Sequence, residues 1–174
     1  IYSAIIGITA AGATIILING CIDISVGSIM GLTGMVCAIM FRSGQPLWIT
    51  IVVAILTGFI AGSINGIIVA FGKIVPMIAT LATMSIFRGI SFLTNNGVSI
   101  VISNNNFKWM GRGYIGPVPF LVILLFIFYL IMFYTTKYTS FGRKIFATGA
   151  NSRASYLAGI NTKTLFFCGL ALAV

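Results

Sequence analysis

Asp23 is the only acidic residue in a chain of 174 that carries ten Lys or Arg and no His, so acid–base or ion-handling chemistry has one carboxylate to use. A carboxylate among apolar residues is a candidate ion relay, substrate contact or partner for a cation. It can equally cap the helix that starts near Ser25, accepting from backbone N–H groups at a positive helix end. A proton relay needs a second ionisable group, and none is evident beside Asp23; capping is the favoured reading. Arg88 could extend outward past about a turn and a half of helix, or face a polar path with Thr83, Ser85 and Ser91. Asn65 lies in a highly apolar run, where an amide must find a hydrogen-bond partner; tying helices together is favoured over substrate contact. Cys21, Cys37 and Cys168 stand singly, without CxxC or metal-type spacing, and read as packing residues. There is no GxxxxGKS/T phosphate loop and no nucleophile–base constellation. The chain is expected to hydrolyse nothing, to bind no metal and to carry no cofactor of its own.

The elements that must position these residues are apolar helices. The composition is 59% hydrophobic and 6% charged, with a mean hydropathy of +1.15. A soluble domain of this length needs a charged shell that eleven ionisable side chains cannot supply. Charge is costly in lipid, so its scarcity is what a bilayer-facing chain requires. The net charge of +9 does not read as a nucleic-acid footprint, because the basic residues are not interleaved with aromatics on a polar face. Cytoplasmic loops enriched in Lys and Arg explain it better.

Ionisable residues, Gly and Pro divide the apolar sequence into an all-α, polytopic bundle of about five spans. These are residues 1–19, 26–41, 47–72, 74–93 and 117–134, with a further span starting at 165–174. The segment 94–116 reads as a long polar loop. Residues 137–163 are too polar to cross lipid. If that stretch is cytoplasmic, Lys73, Lys137, Arg143, Lys144, Arg153 and Lys163 fall inside, and Arg42, Lys108 and Arg112 outside. The chain opens and closes within apolar runs and is read as a fragment.

Gly58, Gly62 and Gly66 recur every four residues and make a smooth stripe for close helix packing; Gly27, Gly31 and Gly34 suggest a similar face on the preceding helix. In the basic stretch, Asn151 suits an N-cap, Ala154, Leu157 and Ala158 fall at helical spacing, and Gly159 suits a stop. The result is a short amphipathic helix, either lying on the membrane surface or docking into a groove of a soluble partner.

Three blocks in order along nearly the whole chain resemble permease subunits of the ribose-type ABC importers, whose relatives carry simple sugars and autoinducer-2. They are Ile22-Asp23-Ile24-Ser25-Val26-Gly27-Ser28, then Asn65-Gly66 with Pro76 through Thr80-Leu81, Thr83 and Arg88-Gly89, and then Phe141-Gly142-Arg143 with Gly149-Ala150-Asn151, Ala154 and Gly159-Ile160. Ser155 and Arg153 depart from the family, which commonly has a second Ala at the first position and often an acid near the second. The resemblance implies a chain about twice this length, lacking here a first helix and a C-terminal half. It implies a coupling helix at Gly149, Asn151, Ala154, Leu157 and Gly159 that docks on a separate ABC ATPase subunit, where ATP binds. It also implies a second permease copy or paralogue, an extracytoplasmic sugar-binding protein, and residence in the bacterial cytoplasmic membrane. Asp23, Ser25, Asn65, Thr83 and Arg88 are the candidate translocation-path residues. A branched-chain amino acid ABC permease and an ion-coupled secondary transporter are the alternatives.

Overall fold

The computed structural model describes residues 2–72, 74–102 and 104–172. Lys73 and the last two residues of the expected final span therefore lie outside the described residues. Nine helices are described: α1 (Tyr2–Ile18), α2 (Val26–Arg42), α3 (Leu47–Gly72), α4 (Pro76–Leu93), α5 (Asn105–Arg112), α6 (Phe120–Tyr138), α7 (Ser140–Ala150), α8 (Ser152–Leu157) and α9 (Thr162–Leu172). Between α5 and α6, β1 (Tyr114–Ile115) and β2 (Val118–Pro119) form a small antiparallel hairpin, with Tyr114 opposite Pro119 and Ile115 opposite Val118.

α3, α4 and α6 are long and apolar enough to cross a membrane, while α1 and α2 have 17 residues each, about 26 Å of helix. Side-chain size, more than polarity, sorts their faces. On α3 the buried positions are mostly small: Gly58, Ala61, Gly62, Asn65, Gly66 and Ala70. The opposite face exposes Ile55, Phe59, Ile60, Ile67 and Phe71. Exposed apolar surface on this scale belongs against lipid, and the chain is a polytopic helical membrane protein.

The helices form two groups. α2 packs on α3 and α4, with Ile29, Ala61 and Phe87 buried between them. α1 packs on α6, α7 and α9, with Ile15, Ile145 and Leu165 at the centre of that contact. Two features join the groups. One is the α3–α9 seam, the most extensive helix contact in the chain. A Cβ on Gly62 would stand 2.7 Å from the Leu170 carbonyl oxygen, and one on Gly66 3.0 Å from that of Phe167, so only glycine admits α9 at this distance. The other is the seven-residue break between α1 and α2.

Glycine also sets where helices stop. α1 ends in a Schellman motif: Gly20 has φ +80°, its N–H donates to the Leu17 carbonyl, and the Cys21 N–H donates to that of Ile16. Gly44 after α2 and Gly159 after α8 repeat the arrangement.

Three expectations change. The segment 94–116 is not all loop: the Asn104 side chain accepts from the Phe107 N–H at 3.1 Å and starts α5. The last full span begins at Phe120, after the Pro-containing hairpin. The polar stretch 137–163 holds two helices, because Thr139 caps α7 before Asn151 caps α8.

Candidate functional site

The α1–α2 break is where the sequence's polar residues converge. Ser25 is fully buried, and its hydroxyl donates to Asp23 Oδ1 at 2.6 Å. The Ser25 N–H donates to the same oxygen at 2.7 Å. Asn65, fully buried on α3, donates from Nδ2 to Ser25 Oγ at 2.7 Å. The result is a directional chain, Asn65 to Ser25 to Asp23, ending on the only carboxylate, beside the positive end of α2. Each bond polarises the next in a low-dielectric surrounding. Asp23 thus takes one N–H just ahead of the helix rather than those of its first turn, and Ser25 makes no side-chain cap of its own.

Thr80 on α4 fixes the other side of the break. Its hydroxyl oxygen accepts from the Ile24 N–H at 3.3 Å and lies 3.4 Å from the Ile22 carbonyl. As a single residue Thr80 carries little signal in the sequence, since a threonine in a helix commonly bonds back to its own turn. Its place in the sequence block with Pro76 was the available signal. Thr83 is buried one turn further along and donates to the Thr80 carbonyl at 3.2 Å. Arg88 does not join the group: it is exposed, off the buried stripe of Ala79, Thr80, Thr83 and Phe87.

Asp23 Oδ2 and Asn65 Oδ1 are buried without a hydrogen-bond partner among the described residues. Both are acceptors, suited to water or a hydroxyl group. Among the described residues no cluster of three metal-binding side chains occurs.

Gly58, Gly62 and Gly66 lie in the buried seam of α3. Gly27, Gly31 and Gly34 are exposed, and a Cβ on any of them would meet nothing within 4 Å. Among the described residues the glycine face expected on α2 meets only the Ser91 hydroxyl of α4, 3.5 Å from the Gly31 carbonyl, because α2 turns its Ile29, Cys37 and Ala38 side to its neighbours instead.

At α8, the Asn151 side chain accepts from the Ala154 N–H at 3.0 Å, as its position predicts. Ala154, Tyr156 and Leu157 are exposed, Leu157 at 79%. Ser155 is buried beneath them, so this departure from the family pattern lies on the inner face while Arg153 lies outside. A concavity of about 670 Å³ follows, lined by Tyr156, Leu157, Ile160, Asn161, Thr162 and Lys163. Gly149 is exposed but does not line this concavity. Its backbone abuts the end of α1: a Cβ there would collide with the Ile18 carbonyl oxygen and lie 3.0 Å from its carbon.

The chain is thus a polytopic helical bundle with a buried polar anchor at a helix break and a capped helical elbow in its basic segment. The chain belongs to the family described as branched-chain amino acid transport system / permease component, whose pattern matches residues 1–173. It is 38% identical to the ribose import permease protein of Haemophilus influenzae, over 91% of this chain and 50% of that one. It is 34% identical to the galactofuranose transporter permease protein of Escherichia coli K12 (99% and 52% covered). It is 31% identical to an autoinducer 2 import system permease protein of Escherichia coli O9:H4 (99% and 51% covered). The chain therefore spans about half the length of these relatives. No solved structure matches it.

Proposed function

We propose that the protein containing this chain is the permease subunit of an ATP-binding-cassette importer that moves a simple, ribose-like sugar inward across the bacterial cytoplasmic membrane. The observation that carries the reading is the α7–α8 elbow. It is capped at Asn151, stopped at Gly159, set in a stretch of sequence that carries Lys137, Arg143, Lys144, Arg153 and Lys163, and presents Tyr156 and Leu157 outward beside a concavity. A surface helix with exposed apolar anchors fits a groove on a soluble partner, and the concentration of basic residues favours the cytoplasmic side. The partner is an ABC ATPase subunit that binds and hydrolyses ATP. A second permease copy or paralogue completes the pore, and an extracytoplasmic binding protein delivers the cargo.

The sugar assignment is supported by the names of the relatives; the family description itself extends to branched-chain amino acids. In this reading the Asp23–Ser25–Asn65 chain and Thr83 shape the wall of the path from within. Arg88, the exposed member of the five candidate residues, is the one able to meet cargo. Leu157→Glu tests the coupling surface: the ATPase subunit should no longer co-purify with the full permease, while membrane insertion persists. Undiminished co-purification would remove the case for docking. Uptake of radiolabelled ribose, galactose and leucine, compared in one strain, tests the cargo class.

A further inference from the structure

The Gly149 end of α7 meets the α1 terminus by backbone alone. The Schellman motif at Gly20 uses the carbonyls of Ile16 and Leu17. The next carbonyl, that of Ile18, is the one a Cβ on Gly149 would strike. Gly20 faces back, its own missing side chain 3.9 Å from the Gly149 Cα. Asn19, 2% exposed, donates from Nδ2 to the Leu165 carbonyl of α9 at 3.1 Å. Three elements therefore meet at the start of the break: the end of α1, the last turn of α7 and the first turn of α9. Ile145, Ile15 and Leu165 pack together beneath them.

This joint has an unspent hydrogen-bonding capacity. Asn19 Oδ1 and Thr148 Oγ1 are both buried there without a partner among the described residues. One is an acceptor only and the other carries a proton to donate, so they are complementary in kind. Buried polar groups are nearly always satisfied, and an exception asks for a reason. A second arrangement of the joint, in which α7 shifts along the α1 terminus and the Thr148 hydroxyl meets Asn19 directly or through water, would supply it. From the joint the break runs only as far as Ser25 before it is held by Asn65 of α3 and Thr80 of α4.

We propose that Gly149 and Thr148 are positioning residues that transmit movement of the α8 elbow to the α1–α2 break, Gly149 by close backbone contact with Ile18 and Thr148 by donating a hydrogen bond to Asn19 Oδ1, directly or through water, in the shifted arrangement. Gly149 is then a transmission contact rather than part of the docking surface. The inference rests on the importer reading, and its test separates the two.

The test is amide hydrogen exchange in the full permease assembled with its ATPase subunit, with and without ATP plus vanadate. Exchange over residues 19–24 is expected to change at least tenfold on nucleotide trapping. In Gly149→Ala and Thr148→Val the ATPase subunit should still co-purify while that change disappears, and Thr148→Ser should restore it. Thr148→Val keeps the proposal testable should Gly149→Ala fail to insert, because it removes a hydroxyl without adding bulk. A response that persists in Thr148→Val, or one absent from the wild-type complex, overturns the transmission role. Loss of the ATPase subunit from either variant would overturn the transmission role and return Gly149 to the docking surface. A wild-type permease that retains no ATPase subunit would sink the importer reading itself.

Discussion

Among residues, the contrast is between those tied into the break and Arg88. Asn65→Leu removes the donor to Ser25 Oγ and leaves that buried oxygen with only its own bond to Asp23. The expected loss is about 1–3 kcal/mol, read as a lower melting temperature of the detergent-solubilised chain. Arg88→Ala breaks no bond observed here and leaves an exposed site. It should change stability by less than about 0.5 kcal/mol, while uptake of radiolabelled sugar falls and Arg88→Lys recovers only part of it. Equal loss of stability in both variants would show that Arg88 is structural. Asp23 belongs with Asn65 in this comparison, since its Oδ1 already accepts two hydrogen bonds from Ser25.

Helix by helix, the glycine spacings separate into two outcomes that spacing alone could not distinguish. Gly62→Ala places a Cβ 2.7 Å from the Leu170 carbonyl oxygen. It should force α3 and α9 apart at a cost of about 1–3 kcal/mol, measurable as a lowered melting temperature. Gly27→Ala meets nothing and should be neutral or stabilising by up to about 1 kcal/mol, the helix-propensity gain. Both stripes look alike in the sequence because periodicity reports which residues share a face, and says nothing of what lies opposite. The same limit explains the rest of what was legible. Element bounds at Val26, Leu47, Asn151 and Gly159 follow from local signals such as caps, turns and Gly stops, and these the sequence shows directly. The meeting of Ser25 with Asn65, of Ile24 with Thr80 and of Gly149 with Ile18 depends on which helices become neighbours. α7 was missed because its Thr139 cap and its Ile145 and Thr148 core face sit inside a stretch whose overall polarity reads as loop. Only the later part, with Asn151 and Gly159, carries unmistakable punctuation.

For the whole molecule, the contacts place the α1–α2 break, the start of α4 and the α7–α9 region at one end of the bundle. The other end gathers the close of α2, the segment after α4 and α5, where the Phe41 and Phe107 rings pack at a tilt with centroids 5.0 Å apart and a cavity of about 760 Å³ is lined by Arg42, Gln45, Asn95 and Asn104. A cysteine introduced at Ser152 should resist an impermeant thiol reagent added to sealed cells, and one at Gly44 should react. The reverse pattern would invert the orientation and put the elbow beyond reach of a cytoplasmic ATPase.

One property of the break bears on how the chain is made. Residues 19–25 contain no Lys or Arg to anchor the hairpin's direction as it leaves the ribosome, and beyond local bonds such as those to Ile16, Leu17 and Asp23 its hydrogen bonds go to Asn65, Thr80 and Leu165, which emerge later. The earliest turn of this sequence is therefore among the last to be fastened during biosynthesis. Nascent chains halted before Leu165 should present that turn to added protease, and release of the α9 segment should close it.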